Sequence, residues 1–266
     1  MEKHLPPELF EHFASLARAR TGIKIKRGKE QLVASRVSKR MRLLRLSSFQ
    51  DYAHYLENSP GEMEHFINAM TTNLTRFYRE SEHFDMLRSY LGGFVGKRVR
   101  MWCAASSTGQ EVWTLAMVAH EVLGGGDWKL LATDIDTKVL ATAKRGVYEH
   151  RLCEGIPAHQ RSQYFQDNGN ALRVGEVLRP HVSFARLNLA TPPYPMGGPL
   201  DVVFCRNVMI YFELPVRTAI VRECERVMRP GGQLYLGHSE SLAGINTPLT
   251  RSGPACYELK MQRKAA

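Results

Sequence analysis

The stretch that most constrains the fold runs from Arg98 to Asp136. A short apolar run of strand type, Val99–Cys103, precedes a loop of small residues, and apolar residues then recur at the three- and four-residue spacing of a helix. Three glycines at 124–126 end that helix, and a second apolar run ends in Asp134. This order predicts a βαβ unit with two parallel strands in one sheet.

The loop after the first strand and the acid after the second predict a nucleoside site. Small residues from Ala104 to Gly109 let a ligand approach the backbone at the start of the helix, and Asp134 can accept hydrogen bonds from ribose hydroxyls. Gly109 is the single glycine of the loop, which disfavours a pyrophosphate cradle. A nucleoside without phosphates fits better, and S-adenosylmethionine (SAM) is the commonest cofactor of that kind. A βαβ crossover that binds no ligand would show the same sequence pattern, so the assignment of a nucleoside site depends on further motifs.

The positive charge of the chain is concentrated in one block. The 266 residues carry a formal net charge of +10, and residues 18–45 hold eleven Lys or Arg against one acid, Glu30. The rest of the chain is therefore about neutral. A local basic block indicates an anionic partner, which could be a nucleic acid, an anionic membrane or an acidic protein surface.

The five cysteines and the hydropathy pattern exclude several classes. The cysteines are dispersed without a CxxC pair, which argues against a disulfide framework and structural zinc, so the sequence predicts no metal site. The first residues lack the apolar core of a signal peptide, and no apolar run reaches the ~18 residues of a membrane span. We expect a cytoplasmic protein with no direct membrane insertion.

The periodicity divides the chain into a helical part and an alternating part. Residues 1 to about 70 show helical spacing, and one predicted helix, from about Lys29 to Leu46, carries basic residues beside an apolar stripe. From Val99 onward, strand-like and helical segments alternate, which predicts a doubly wound α/β domain. Between Tyr148 and Val182 the period is lost. We interpret this stretch as a small insertion with short antiparallel strands, with an ordered surface loop as the alternative.

Six stretches together resemble the CheR-type chemotaxis methyltransferases, which esterify glutamates on chemoreceptors using SAM. They are TTNLTRFYRE (71–80), AASSTGQE (104–111), ATDID (132–136), RLNL (186–189), DVVFCRNVMIYF (201–212) and LYLGHSES (234–241). They occur in the order and at the spacings of the family. The resemblance implies a small N-terminal helical domain, here 1–75 with its linker. It also implies a Rossmann-like SAM-dependent methyltransferase domain at 76–266, with a β-subdomain inserted at about 149–181.

The resemblance also implies the cofactor-binding residues. The SAM positions of the family fall here on Asn73, Thr75, Arg79, Glu111, Asp134, Asn188, Leu189, Arg206 and Asn207. Several of these follow predicted strands, where an acid suits ribose hydroxyls and an amide beside an apolar side chain suits adenine. Glu111, at a helix start, could pair with the ammonium of the cofactor or hold the loop. Asp136 stands directly before a predicted helix and is the expected N-cap.

The implied reaction is methyl transfer from SAM to a glutamate carboxylate, giving a methyl ester and S-adenosylhomocysteine. A carboxylate with a pKa of ~4.3 is ionised at neutral pH, so no general base is required. Catalysis then consists of positioning and desolvation. As catalytic residues we expect Arg79, which would orient a carboxylate, and Tyr211, which would line the methyl-transfer channel or serve as a core aromatic.

The partner implied by the resemblance is the cytoplasmic helical region of methyl-accepting chemoreceptors. We expect Arg36, Lys39 and Arg40 on the basic helix to dock acidic receptor helices. Some family members tether a receptor-tail pentapeptide through a longer glycine-containing loop in the β-subdomain. The matching segment here, 166–171, is short, so we expect no such binding. The expected enzyme is a monomer that does not bind nucleic acid.

Two alternatives remain at the level of sequence. A basic helical domain beside a SAM domain could belong to a nucleic-acid methyltransferase, and ThrProProTyr at 191–194 is similar to a motif of exocyclic-amine methylases. However, Thr191 lacks the carboxylate or amide of that motif and precedes the fourth strand, whereas the motif follows it. The basic block also lacks interleaved aromatic residues for base stacking. A SAM-binding regulatory module without turnover is the other alternative.

Overall fold

The computed structural model describes residues 4–260. Contacts divide the chain into two compact units. One contains the residues up to Thr72 together with Tyr211–Val216, and the other contains Asn73–Ile210 together with the residues from Arg217 onward. Among residues 4–260, every helix is too short or too polar to cross a bilayer.

The first unit is helical, as predicted. Its helices are α1 (Pro7–Thr21), α2 (Glu30–Leu44), α3 (Phe49–Asn58) and α4 (Pro60–Met70). Local sequence sets their ends: Gly22 takes the left-handed conformation that closes α1, with φ 74°, and Ser48 and Asp51 form a reciprocal capping box at the start of α3. The apolar stripe of α2 is buried with residues of the other three helices, including Phe13.

From Asn73 onward, strands and helices alternate. The elements are α5 (Glu82–Gly92), β1 (Val99–Cys103), α6 (Gln110–Leu123), β2 (Trp128–Asp134), α7 (Thr137–Arg145), β3 (Val147–Glu149), α8 (Ala158–Tyr164), β4 (Phe165–Asp167), β5 (Ala171–Val174), β6 (Val182–Arg186), β7 (Leu200–Phe204), α9 (Leu214–Val227), β8 (Met228–Tyr235), β9 (Leu249–Gly253) and β10 (Cys256–Leu259). Short 3₁₀ helices lie at His150–Cys153, Arg179–His181 and Met209–Tyr211.

Seven strands form one sheet in the order β6-β2-β1-β7-β8-β10-β9. The first five in this order pair in parallel, and β10 pairs antiparallel with both β8 and β9. The predicted Rossmann-like arrangement is therefore confirmed. The sequence analysis did not predict β9, because the letters LTRSG lack an apolar alternation and the strand depends on pairing with β10.

The stretch between α7 and β6 contains a second, three-stranded antiparallel sheet in the order β3-β5-β4. This confirms the predicted β-subdomain rather than the surface loop. Buried Tyr148, Tyr164 and Val174 belong to the same core as α6 and the large sheet. The insertion is therefore packed against the domain that contains it.

Candidate functional site

The topology places a ligand crevice at the carboxyl ends of β1 and β7. The chain passes from β1 to β2 and on to β6 on one side, then crosses to β7 on the other side of β1. The connections leaving β1 and β7 therefore diverge. In open α/β sheets, ligands bind outside the carboxyl ends of the strands at such a switch point.

The loop after β1 is fixed to both neighbouring strands. The Ala104 amide donates to the Phe204 carbonyl at 2.8 Å, and the Ser106 amide donates to the Thr133 carbonyl at 2.9 Å. Gly109 has φ 96°, and a Cβ there would lie 2.7 Å from Cβ of Ala143. Only glycine fits this position, so the end of the loop, which caps α6, packs closely against α7.

Asp134 ends β2 with its carboxylate beside this loop. Its Oδ2 accepts from the Ser107 amide at 2.8 Å, and its Oδ1 accepts from the Asp136 amide at 3.0 Å. An ionised carboxylate can accept about four hydrogen bonds, so Asp134 retains acceptor capacity for a ligand hydroxyl. Burial raises the pKa of Asp134 to about 6, although these backbone hydrogen bonds favour the ionised form.

Asp136 is the N-cap of α7, as predicted. Its Oδ1 accepts from the amides of Lys138 and Val139, and its Oδ2 accepts from Nδ2 of Asn73 at 2.9 Å. The Asn73 carbonyl in turn accepts from Oγ of Ser107 at 2.9 Å. These hydrogen bonds connect Asn73, in the segment before α5, to the loop after β1 and to the start of α7.

Arg206, in the loop after β7, is the centre of a buried ionic network. Its Nη1 donates to Oε2 of Glu111 at 2.7 Å, and its Nη2 donates to Oε2 of Glu80 at 2.8 Å and to the Arg79 carbonyl at 2.6 Å. The guanidinium also lies over the rings of Phe84 and Phe204. Glu111 therefore pairs with Arg206 and attaches the loop after β7 to the start of α6.

The two carboxylates of the network respond differently to burial. Burial opposes ionisation of Glu80, but hydrogen bonds from Arg206 and Asn207 outweigh it and lower the pKa of Glu80 to about 2. For Glu111, desolvation dominates over the attraction of Arg206 and raises its pKa. Glu80 thus provides the firm negative charge opposite Arg206.

Asn207 is held by two acids that sequence analysis did not single out. Its amide donates to Oε2 of Glu240 at 2.7 Å, and its Nδ2 donates to Oε1 of Glu80 at 3.2 Å. Glu240 also accepts from the Gly237 and Ile210 amides. Both acids lie inside the motifs that carry the family resemblance, but buried carboxylates that bind backbone amides have no periodic sequence signal.

Asn188 and Leu189 follow β6. The Leu187 amide donates to the Asp134 carbonyl at 3.0 Å, which keeps the chain beside β2 up to this point. Asn188 accepts from the Ala190 amide through Oδ1 at 3.0 Å, and the buried Leu189 offers its carbonyl to the Tyr194 hydroxyl. Asp134, Asn188 and Leu189 thus lie at adjacent strand ends, as expected from sequence.

Arg79 and Thr75 lie in the segment that precedes α5. Arg79 donates through Nη1 to the Leu74 carbonyl at 2.8 Å, and its side chain is partly exposed. Thr75 is half-buried. Tyr211 belongs to the other compact unit, where its carbonyl accepts from the Lys24 amide at 2.9 Å.

The expected docking residues on α2 differ in their surroundings. Arg40 forms two hydrogen bonds with the buried Glu62, at 2.8 and 2.7 Å, and Arg36 donates to the Met70 carbonyl at 2.7 Å. These two arginines therefore hold helices of the first unit together. Lys39 is exposed, as are Arg42 and Leu43 near the end of the helix.

The site contains polar atoms that fit a phosphate-free nucleoside. Oγ of Ser106 and Nε of Arg206 are buried without a hydrogen-bond partner among residues 4–260. Together with Asp134 and the apolar Leu189, they provide acceptors for a ribose diol, polar groups for a charged tail and an apolar contact for a base. The loop after β1 has no lysine or second glycine for a pyrophosphate.

Comparison with known proteins agrees with this geometry. The model of the CheR methyltransferase all-alpha domain matches residues 8–71, and that of the CheR methyltransferase SAM binding domain matches residues 73–255. Chemotaxis protein methyltransferase 2 of Pseudomonas aeruginosa is 39% identical over 264 residues, covering 96% of this chain and 94% of that protein. The chemotaxis protein methyltransferase of Escherichia coli is 38% identical over 258 residues, covering 94% and 90%.

Proposed function

The chain belongs to the CheR methyltransferase family, and from this premise we propose that it methylates glutamate side chains of chemoreceptors with SAM. The products are glutamate methyl esters and S-adenosylhomocysteine. One observation carries the proposal: the buried polar cluster at the carboxyl ends of β1, β2, β6 and β7 lies within the matched SAM-binding domain. It provides a ribose acceptor, Asp134, next to orphaned donors on Ser106 and Arg206.

We assign the cofactor contacts by position in this cluster. Asp134 accepts the ribose hydroxyls, and Asn188 and Leu189 contact the adenine. Asn73, Thr75 and Arg79 surround the charged tail from the segment before α5. Glu111, Arg206 and Asn207 form the opposite wall. The hydrogen bond of Arg206 to Glu111, and those of Arg206 and Asn207 to Glu80, keep that wall rigid before any ligand arrives.

The reaction makes few chemical demands on the protein. SAM supplies a methyl group activated by a sulfonium, and the acceptor carboxylate is already ionised at neutral pH. The residues of this chain orient the two reactants and exclude water from them. We propose that Arg79, whose guanidinium is partly exposed, orients a carboxylate, and that Tyr211 lines the path of the acceptor side chain.

The receptor surface is proposed to be the exposed basic face of α2. Lys39 and Arg42 place exposed positive charge on this face. Leu43, near the end of the helix, is also exposed and offers an apolar contact. Arg36 and Arg40 remain part of the proposed surface, but most of their hydrogen bonds are internal. Acidic receptor helices are the complementary partner.

Several further properties are proposed on the same basis. The β4–β5 turn spans few residues, so we propose that the enzyme does not bind a receptor-tail pentapeptide. We also propose a cytoplasmic monomer, because the substrate region of the receptor is cytoplasmic and a single chain contains every assigned site residue. The matched family domains and the relatives favour the chemotaxis methyltransferase over the nucleic-acid methyltransferase and the regulatory module.

The test is a transfer assay with methyl-labelled SAM and a membrane fraction that contains receptors, followed by alkali. Glutamate methyl esters release volatile methanol in alkali, whereas methylated nucleobases do not. We expect volatile label from the native enzyme and its loss in Asp134→Ala. Asp127→Ala, at an exposed acid outside the site, is the matched control and should retain activity. Label that enters RNA or DNA instead would support the nucleic-acid alternative, and no label in any acceptor would support the regulatory module.

A further inference from the structure

Two histidines and two glutamates meet beside the ionic network of Arg206. One ligand-capable atom each from Glu80, His83 and His238 lies within 4.8 Å of the others. Nε2 of His238 also lies 3.5 Å from Oε1 of Glu82. The two histidines are separated by most of the domain in sequence, and folding brings their rings to a centroid distance of 4.9 Å.

The tautomer of His83 is set by its surroundings. Nε2 of this ring lies 3.0 Å from the Pro254 carbonyl, which can only accept, so Nε2 carries the hydrogen and Nδ1 carries the lone pair. The residue is fully buried, and Nδ1 has no hydrogen-bond partner among residues 4–260. A neutral imidazole whose other nitrogen donates to a carbonyl is the arrangement of a metal-binding histidine.

The remaining donors surround this lone pair. Oε2 of Glu80 lies 3.7 Å from Nδ1 of His83 and 3.9 Å from Nε2 of His238. Tetrahedral zinc ligands at about 2.0–2.1 Å from the metal are separated by about 3.3 Å, so small side-chain movements suffice. Oε2 already accepts from Nη2 of Arg206 at 2.8 Å and from the His238 amide at 3.1 Å. Oε1 accepts one hydrogen bond, at 3.2 Å from Asn207, and keeps a lone pair that rotation of the carboxylate can turn towards an ion.

We propose that Glu80, Glu82, His83 and His238 form a binding site for a divalent transition metal ion, with Zn²⁺ as the best match. Two imidazoles and two carboxylates are a donor set that Zn²⁺ accepts. His238 and Glu82 are partly exposed and provide the entry path. This proposal does not depend on the methyl-transfer function.

The local charge permits a cation. Arg206 and Arg79 both lie near Glu80, and each opposes a bound metal. Glu80, Glu82 and Glu111 provide three carboxylates against these two guanidinium groups. Sequence analysis predicted no metal site because it tested cysteine spacing, and this site contains no cysteine.

The test uses the full chain without a histidine tag, stripped with a chelator. Zn²⁺ binding is measured by calorimetry, and Co²⁺ serves as a spectroscopic probe of coordination. We expect one ion per chain and a visible Co²⁺ band of tetrahedral intensity without a thiolate charge-transfer band, because the five cysteines are buried. His238→Gln should weaken Zn²⁺ binding at least tenfold, and Glu82→Gln should weaken it several-fold.

The variants are chosen so that folding is not at issue. His238 and Glu82 are exposed enough to change without disturbing the core, whereas a His83 variant could fail to fold. His159→Gln is the matched control. His159 is exposed, with Nε2 3.2 Å from Oε1 of Glu121, and among residues 4–260 it belongs to no group of three side chains that could hold a metal ion. Its Zn²⁺ affinity should equal that of the native chain. Absence of stoichiometric binding, equal affinity in His238→Gln, or a Co²⁺–thiolate band would each overturn the proposal.

Discussion

Nη1 of Arg206 lies 2.7 Å from Oε2 of Glu111, and both side chains are buried. The pair joins the loop after β7 to the start of α6, so it connects the two sides of the switch point. Glu80 completes the network from the segment before α5. Removing one member of the pair should strongly destabilise the fold, because the other charge would remain buried without its partner.

We therefore predict that Glu111→Ala destabilises the protein by about 3 kcal/mol or more at neutral pH. The loss of stability should appear as a lower denaturant midpoint, with no change in the slope of the unfolding free energy against denaturant concentration. Glu121→Ala is the matched control on the same helix, where the carboxylate is partly exposed and pairs with Arg88, and it should cost about 1 kcal/mol or less. Equal losses in the two variants would contradict this prediction.

Glu80 should make the protein sensitive to acid. Its pKa is lowered to about 2 in the folded state and is ~4.3 in the unfolded chain, so the unfolded state binds more protons between these values. The stabilising contribution is present above about pH 4.3 and is lost as the pH falls towards 2. Urea midpoints measured across this range should fall more steeply in the native protein than in Glu80→Gln. Parallel profiles would exclude Glu80 as the source.

Asp134 should make cofactor affinity depend on pH. Its pKa is raised to about 6, and the ionised carboxylate is the better acceptor for ribose hydroxyls. Affinity for S-adenosylhomocysteine should therefore rise between about pH 5 and about pH 7.5, as Asp134 loses its proton. Calorimetry of the native protein and of Asp134→Asn checks this, because the variant should give a flatter profile. A steep profile that persists in the variant would place the titrating group elsewhere.

Substitution of Asp134 should weaken cofactor binding, whereas substitution of Asp136 should lower the stability of the protein. Asp134→Ala should reduce SAM affinity more than tenfold, because charge-assisted hydrogen bonds of roughly 1.5–3 kcal/mol are lost. Asp136→Ala removes the N-cap of α7 and should cost about 1 kcal/mol or more of stability, since the same carboxylate also accepts from Asn73. The check is to measure the affinity for SAM and the denaturant midpoint of both variants. Exchanged phenotypes would mean that the ribose is bound by Asp136.

The basic face of α2 should act on receptor recognition alone. Reversing Lys39 and Arg42 to glutamate should raise the apparent KM for receptor and leave SAM affinity unchanged, and added salt should weaken the native interaction. The matched control reverses Lys97 and Arg98, which are exposed before β1. Arg40→Glu is unsuitable for this test, because it places a negative charge beside Glu62. Unchanged receptor kinetics in the α2 variant would remove the docking assignment.

Local signals in the sequence predicted the order of most elements, and the family motifs indicated the chemistry at the strand ends. Apolar periodicity and glycine positions predicted the βαβ unit from Val99 to Asp134, because these signals are local. The N-cap role of Asp136 could also be predicted, since a cap is recognised from the residues that follow it. Residues quoted in the family motifs, such as Asn188 and Arg206, were expected at the site because of the resemblance to the CheR family.

The contacts between these side chains became known from the folded structure. Arg40 carries the same charge in the sequence as Lys39, but Glu62 on another helix makes it an internal support. Glu80 and His83 gain their partners, Arg206 and His238, from segments far along the chain. Ion pairs and shared buried donors depend on distances that the packing of the sheet sets. A period along one chain does not contain that information.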